Sequence, residues 1–355
     1  MKKTLIALAA VAATSASFAQ STVTLSGTLD TGIEKRFSGD TTQMTSNRNG
    51  TSNWTLSGAE DLGGGLKAVF QVSTAFSVDD ATVTTANGLG NNGMFVGLTG
   101  GFGTLRAGRP VNTLYGNAMF ANGTKGVSLH DSNTVIGGTF DNNTALQAPA
   151  LRQSKTGNAG NSVYVSNALQ YHSPRFAGVQ VQVEYAPSEV ANADAGVGIA
   201  VRYDGGPLSV SFTNYKGAGS AAVAATGTAS AVAANLNPKA VNQLAAAYDF
   251  SIAKLFFTYR DQGGLASDQD TAYALGVTAP VGPGAIYASY NVNEQTGSDG
   301  RTLIAGYKYN LSKRTQAYVQ VAQRNAAWVG GAVTKLGGTG AESSTGYGFG
   351  LQHNF

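Results

Sequence analysis

The sequence predicts an all-β protein: a closed, sixteen-stranded antiparallel barrel that crosses a membrane. Three observations carry the prediction. The chain ends in unbroken alternation, with Tyr347, Phe349, Leu351, His353 and Phe355 on one face and Gly348, Gly350, Gln352 and Asn354 on the other. It starts with the pattern of an export signal. Between the two, alternating segments of roughly ten residues recur, joined in turn by short Gly/Pro/Asp turns and longer polar loops.

Period-two alternation marks a strand whose two faces meet different solvents. A strand of this kind at the very end of a chain fits a barrel, where the last strand closes the cylinder against the first. At the front, Lys2 and Lys3 precede an apolar run over residues 5–13 and a small-residue end, Ser17-Phe18-Ala19. The run is too short to span hydrocarbon, so residues 1–19 are expected to be a cleaved signal and residues 20–355 the mature domain.

Composition narrows the class. There is no cysteine, hence no disulfide framework or thiol chemistry, and charged residues are only 12%. No segment after the signal offers ~20 consecutive apolar residues, so helical spans are not expected. A membrane protein without apolar helices must be a closed barrel, because lipid cannot satisfy free backbone groups. The formal charge of +3 includes Lys2 and Lys3, leaving the mature chain near +1. That balance excludes reading the basic pI as a nucleic-acid signal.

Taken in order, the first strand is Val23-Leu25-Gly27-Leu29 interleaved with Thr24, Ser26, Thr28 and Asp30. The second covers residues 53–60, and Asp61-Leu62-Gly63-Gly64-Gly65 turns it into the third. Further tight turns fall at residues 100–103, 173–178, 204–207, 249–253, 279–284 and 310–314. Longer segments fall near 34–51, 77–93, 110–161, 186–195, 216–239, 261–269, 293–300 and 326–343. Seven short turns and eight long loops are fifteen connections, hence sixteen strands, with short turns on the periplasmic rim and long loops outside. The Ala-rich stretch over 218–234 reads as an outer loop rather than a helix.

A soluble sandwich also has alternating strands. The strand ends separate the two. Tyr171, Tyr185, Tyr203, Tyr215, Tyr248, Tyr259, Tyr290 and Tyr309 all fall near strand termini on the apolar phase. Tyrosine there suits a headgroup layer, with the ring in hydrocarbon and the hydroxyl in water.

Several segments resemble the trimeric general porins of Gram-negative bacteria, of the beta-proteobacterial type. They are VTLSGTLDTGI, GAEDLGGGLKAVFQV, MFVGLTGGFGTLRAGRP, YHSPRFAGVQVQVEY, YKYNLSKRTQAYVQVA and the closing GYGFGLQHNF. They follow the family's order and cover essentially the whole mature chain. The resemblance implies an outer-membrane homotrimer with a water-filled channel in each barrel, and a third outer loop, here residues 110–161, folded into the lumen. It also implies assembly into outer-membrane lipid through the barrel-assembly machinery, which would engage the strand ending in Phe355. Trimer contacts would come from an apolar wall sector and the second loop, residues 77–93.

Charge rings at the narrowing are expected to set selectivity. Asp30, Glu34 and Arg36 share the lumen phase of the first strand; Lys67 and Arg106 share that phase on later strands, and Arg109 sits where the chain enters the third loop. The matching acids are Asp131 and Asp141 on the loop. Basic Arg36, Lys67, Arg106 and Arg109 would face these carboxylates across the constriction. Relatives often carry basic residues where Asn53, Ser57 and Gln352 stand, so a weaker anion preference is expected here.

Enzyme chemistry finds no support. His130, His172 and His353 have no ligand spacing, and no Ser is paired with His and acid. Gly-rich turns such as GLTGGFG join strand to strand, with no helix N-terminus to hold a phosphate. Neither a cofactor nor a metal is expected, and calcium at Asp79 and Asp80 lacks support. Two functions stay open: a general pore for ions and small hydrophilic solutes, or a channel specific for one class of small nutrient. The lumen phase is mostly Ser, Thr, Gln, Asn, Gly and Ala, which favours the general pore.

Overall fold

The computed structural model describes residues 22–35, 41–83, 88–122, 163–219, 236–238, 240–261, 269–295, 300–324 and 344–355. The strands are β1 (Thr22–Lys35), β2 (Gln43–Ser46), β3 (Asn53–Gly63), β4 (Leu66–Ala75), β5 (Met94–Gly100), β6 (Gly103–Arg109), β7 (Ala168–His172), β8 (Val179–Ala186) and β9 (Gly196–Gly205). They continue as β10 (Leu208–Lys216), β11 (Val241–Asp249), β12 (Lys254–Asp261), β13 (Gln269–Val281), β14 (Gly284–Gln295), β15 (Gly300–Asn310), β16 (Thr315–Arg324) and β17 (Ser344–Asn354). A helix, α1 (Thr113–Asn122), follows β6.

All neighbours pair antiparallel, and β1 closes the cylinder against β17, with Thr28 opposite Asn354 and Lys35 opposite Tyr347. The terminal Phe355 completes the seam by exchanging two 3.0 Å backbone hydrogen bonds with Gly27. Closure satisfies backbone groups that an open edge would leave bare in lipid. The described strands thus form the predicted sixteen-stranded barrel with one extra strand. That extra strand has a simple origin. Residues 43–46 pair with positions 34–31 of β1, and residues 53–59 with positions 28–22 of the same edge. β2 and β3 are therefore one stave, interrupted by an inward excursion of residues 47–52.

All seven short turns fall where predicted. Gly64 and Gly65 link β3 to β4 with φ of 62° and 80°. Two consecutive positive φ values make the turn whose twist matches a hairpin, and only glycine takes both without strain. The alternation also holds: Val96 of β5 is 62% exposed on the outside, while Asp30 of β1 is 0% exposed on the inside.

One tyrosine breaks the expected phase. Tyr185, Tyr203, Tyr248, Tyr259, Tyr290 and Tyr309 face outward, but Tyr215 is 2% exposed and lies inside against Leu114 of α1. The outward neighbour is Asn214, which bonds Asn242 at 2.8 Å near the strand end. The lumen is also less bland than the phase suggested. Phe256, Tyr287 and Tyr318 point inward from β12, β14 and β16, each lying over a glycine of the following strand: Gly276, Gly306 and Gly350. A β-carbon at any of these glycines would collide with the ring, so the aromatics lie flat against the wall.

Candidate permeation pathway

The third loop enters the lumen as α1, which the sequence did not predict. Its start is built from two sources. Asn112 caps it, accepting the Tyr115 N–H at 2.6 Å. No acidic residue stands in the first turn. The missing negative charge comes from the wall: Glu184 of β8, 1% exposed, accepts the Thr113 N–H at 2.8 Å and the Thr113 hydroxyl at 2.9 Å. A carboxylate there suits the positive end of the helix dipole. Farther along, the Gln243 amide donates to the Leu114 carbonyl at 3.0 Å, Asn117 donates to Gln182 at 2.8 Å, and the Ser211 hydroxyl donates to the Asn117 carbonyl at 3.1 Å. Since Gln182, Glu184, Ser211 and Gln243 all take the inward phase, α1 lies along the inner wall of β8, β10 and β11.

Behind the helix, arginine and glutamine repeat as pairs. Arg106 donates to the Gln170 carbonyl oxygen at 2.9 and 2.7 Å, Arg202 to that of Gln180 at 2.9 Å, and Arg260 to that of Gln243 at 2.6 and 3.1 Å. Each glutamine passes the contact on through its amide, to Val111 O at 2.7 Å, Ser173 O at 2.8 Å and Leu114 O at 3.0 Å. An amide positions a guanidinium without neutralising it.

On the opposite wall the first loop folds in. Asp30 accepts the backbone N–H groups of Arg48 and Asn49 at 3.1 and 2.9 Å and the Tyr318 hydroxyl at 2.9 Å. Glu34 pairs with Arg48, whose Nη2 donates at 2.6 Å. Both acids take the expected inward phase, and both are committed to residues 47–52.

The remaining predicted site residues separate. Lys67 is exposed at the start of β4, opposite Asp61 and beside the Gly64-Gly65 turn, at the short-turn rim. Arg109 donates to the Asn91 carbonyl at 2.7 Å and stacks 4.9 Å from the centre of the Tyr164 ring, joining the second loop to the returning third loop. Arg36, Asp131 and Asp141 lie outside the described residues, as do residues 1–19, His130 and most of the 218–234 stretch. Sequence reasoning missed Arg48, Gln170, Glu184, Arg202 and Arg260. For four of them a signal exists: Gln170, Glu184, Arg202 and Arg260 stand on the polar phase of clearly alternating strands.

A closed transmembrane barrel with polar and charged side chains lining its interior defines a channel. Comparison with known proteins places it. The family model for Gram-negative porin matches residues 5–327, and the chain belongs to that family. It is 32% identical to outer membrane porin protein 32 of Delftia acidovorans, over the full length of both chains. It is 29% identical to the major outer membrane protein P.IB of Neisseria lactamica, again over both full lengths. Among solved structures it is similar to the anion-selective porin of Comamonas acidovorans, with a TM-score of 0.72 and 25% identity over 95% of this chain and 100% of that one. The OmpT trimer form of Vibrio cholerae, 16% identical with a TM-score of 0.62, covers 94% of this chain and 99% of that one and shares the fold. The chain is an outer-membrane porin, not an enzyme.

Proposed function

We propose that the chain is a general diffusion porin: a water-filled, homotrimeric, weakly charge-selective channel for ions and small hydrophilic solutes, with anions favoured. The observation that carries this reading is the set of arginine–glutamine pairs, in which a neutral amide orients each guanidinium; Asp30 and Glu184 likewise accept from neutral donors and keep their charge, which holds the preference down. The anion-selective relative points the same way. Asn53, Ser57 and Gln352, where relatives often carry cations, hold the preference down. The constriction would form between Arg36, Arg106 and Arg109 and the loop acids Asp131 and Asp141; Lys67, expected there from its phase, lies instead at the short-turn rim, and Asp30 and Glu34 act through the first loop that they hold.

The same proposal includes a cleaved signal over residues 1–19, a barrel domain over 20–355, outer-membrane lipid around the wall and delivery by the barrel-assembly machinery. The Phe355–Gly27 seam supports a role for the last strand in closure. The trimer rests on the resemblance of the sequence to the trimeric general porins. Liposome swelling in neutral sugars tests the general pore. Swelling rates falling smoothly with sugar size support it, whereas fast entry of one sugar out of size order supports a substrate-specific channel.

A further inference from the structure

Residues 47–52 are longer than the gap they fill. Ser46 pairs with Thr31 and Asn53 with Thr28, so two residues of β1, Leu29 and Asp30, face six on the neighbouring stave. Two would continue the ladder; the other four are surplus, and they lie inside the barrel. They are firmly held there. Asp30 accepts the Arg48 and Asn49 amides, and the Asn49 side chain donates to the inward Gln352 of β17 at 2.5 Å. The Ser52 hydroxyl accepts from the Asp30 N–H at 2.9 Å and donates to the Asp30 carbonyl at 3.2 Å. Asn47, with φ of 65°, turns the chain inward in a conformation that asparagine tolerates, and its side chain accepts the Ser52 N–H at 2.6 Å, closing the excursion at its base. Gly50 lies so close to the wall that a β-carbon would collide with the Gln352 amide.

The excursion also stands in a particular place. With β2 and β3 counted as one stave, β10 is eight staves from β1 and β11 is eight from β3, half-way round a cylinder of sixteen. Those two strands carry α1, through Ser211 and Gln243. The bore therefore loses cross-section from two facing sides. The one ionisable residue of the excursion, Arg48, is paired with the buried Glu34. A hydrogen-bonded segment whose charge is balanced in this way restricts a pore by its volume more than by its field.

We propose that residues 47–52 are a size-limiting element of the channel, which together with α1 on the facing wall sets the largest hydrophilic solute that passes. The proposal deepens the general-pore reading and rests on it for the solutes concerned. Four inserted residues thus act as a fixed shelf in the lumen, and removing them should widen the pore without disturbing the barrel ladder.

The test deletes residues 48–51 from the full mature protein, which leaves Asn47 and Ser52 to pair with Asp30 and Leu29 and keeps every other register. Wild type and deletion are compared by liposome swelling in glucose, sucrose and raffinose, and by single-channel conductance in about 1 M potassium chloride. Neutral sugars do not report the Glu34 carboxylate left without Arg48, and at that salt the Debye length is only about 3 Å. The deletion should raise the conductance and shift the swelling curve toward the larger sugars, with raffinose gaining most relative to glucose. Wild-type swelling out of size order contradicts the general pore and not the shelf, because the conductance of the deletion still reports the bore. A second variant serves if the deletion does not fold. The chain has no cysteine, so Thr51→Cys, at a half-exposed residue of the excursion, gives a single attachment point. A bulky, water-soluble thiosulfonate reagent should lower the conductance of that variant in steps and leave Val96→Cys, on the outer face of β5, unchanged. Unchanged conductance and sugar dependence in the deletion, or full current from Thr51→Cys after exposure to the reagent, overturns the proposal.

Discussion

Tyr318 of β16 reaches across Gly350 of β17 and donates a 2.9 Å hydrogen bond to the Asp30 carboxylate of β1. One side chain thus spans the last strand and ties the end of the barrel to its beginning. The same carboxylate receives two backbone amides from the first loop, so the seam and the inward excursion of residues 47–52 share an anchor.

Removing the hydroxyl alone isolates that anchor. Tyr318→Phe keeps the ring over Gly350 and should cost about 1 kcal/mol, since the bond is lost and Asp30 retains its other donors. Gly350→Ala should cost more, because the added carbon meets the Thr31 carbonyl as well as the ring. Unfolding midpoints of the folded barrels in denaturant give the order. Equal midpoints for all three chains contradict it.

The position of α1 depends on Glu184. Glu184→Ala leaves the Thr113 and Gln170 donors without their acceptor, at about 1–3 kcal/mol for each group left unpaired. The barrel ladder is untouched, so the variant should still fold, but the helix should leave the wall. Single-channel recordings should then show a noisier open state with altered conductance. A quiet trace of wild-type conductance means that Glu184 does not hold the loop.

Glu34 and Arg48 test the first loop. Both are buried, and removing one partner of a buried pair typically costs about 3–5 kcal/mol. Arg48→Met should therefore destabilise the barrel more than the double change Glu34→Met with Arg48→Met, which leaves no buried charge behind. A double variant weaker than the single one counts against a coupled pair.

Tyr164 provides a pH signature. Burial pushes its hydroxyl up to about 12 from an ordinary 10.0, and the Arg109 guanidinium opposes the shift only in part. The folded protein holds this proton more tightly than the unfolded chain. Its contribution is complete below the unfolded value and is lost as pH rises through the folded one. Stability should decline between pH 10.0 and about 12 as the Tyr164–Asn92 bond, 2.5 Å long, gives way. Tyr164→Phe should flatten that part of the pH profile.

The barrel is legible in the sequence because each strand separates lipid from a polar interior, and that contrast repeats every second residue. The turns are legible for a local reason, since Gly64 and Gly65 adopt a backbone other residues resist. What depends on contacts across the lumen is not legible. Asn112 is an ordinary N-cap, yet the helix after it contains Gly116 and has no acid in its first turn; the acid arrives from Glu184, 71 positions away. Tyr215 looks like a headgroup tyrosine until α1 covers it. Asp30 and Glu34 have the right phase for a pore wall, but nothing local reveals that residues 47–52 fold back over them.

The most direct measurement is single-channel current of the purified protein in a planar bilayer under a salt gradient. A weakly selective trimeric pore gives conductance in groups of three equal steps, a linear current and a small reversal potential of the sign for anions. A strong reversal potential of either sign contradicts weak selectivity, and isolated single steps contradict the trimer.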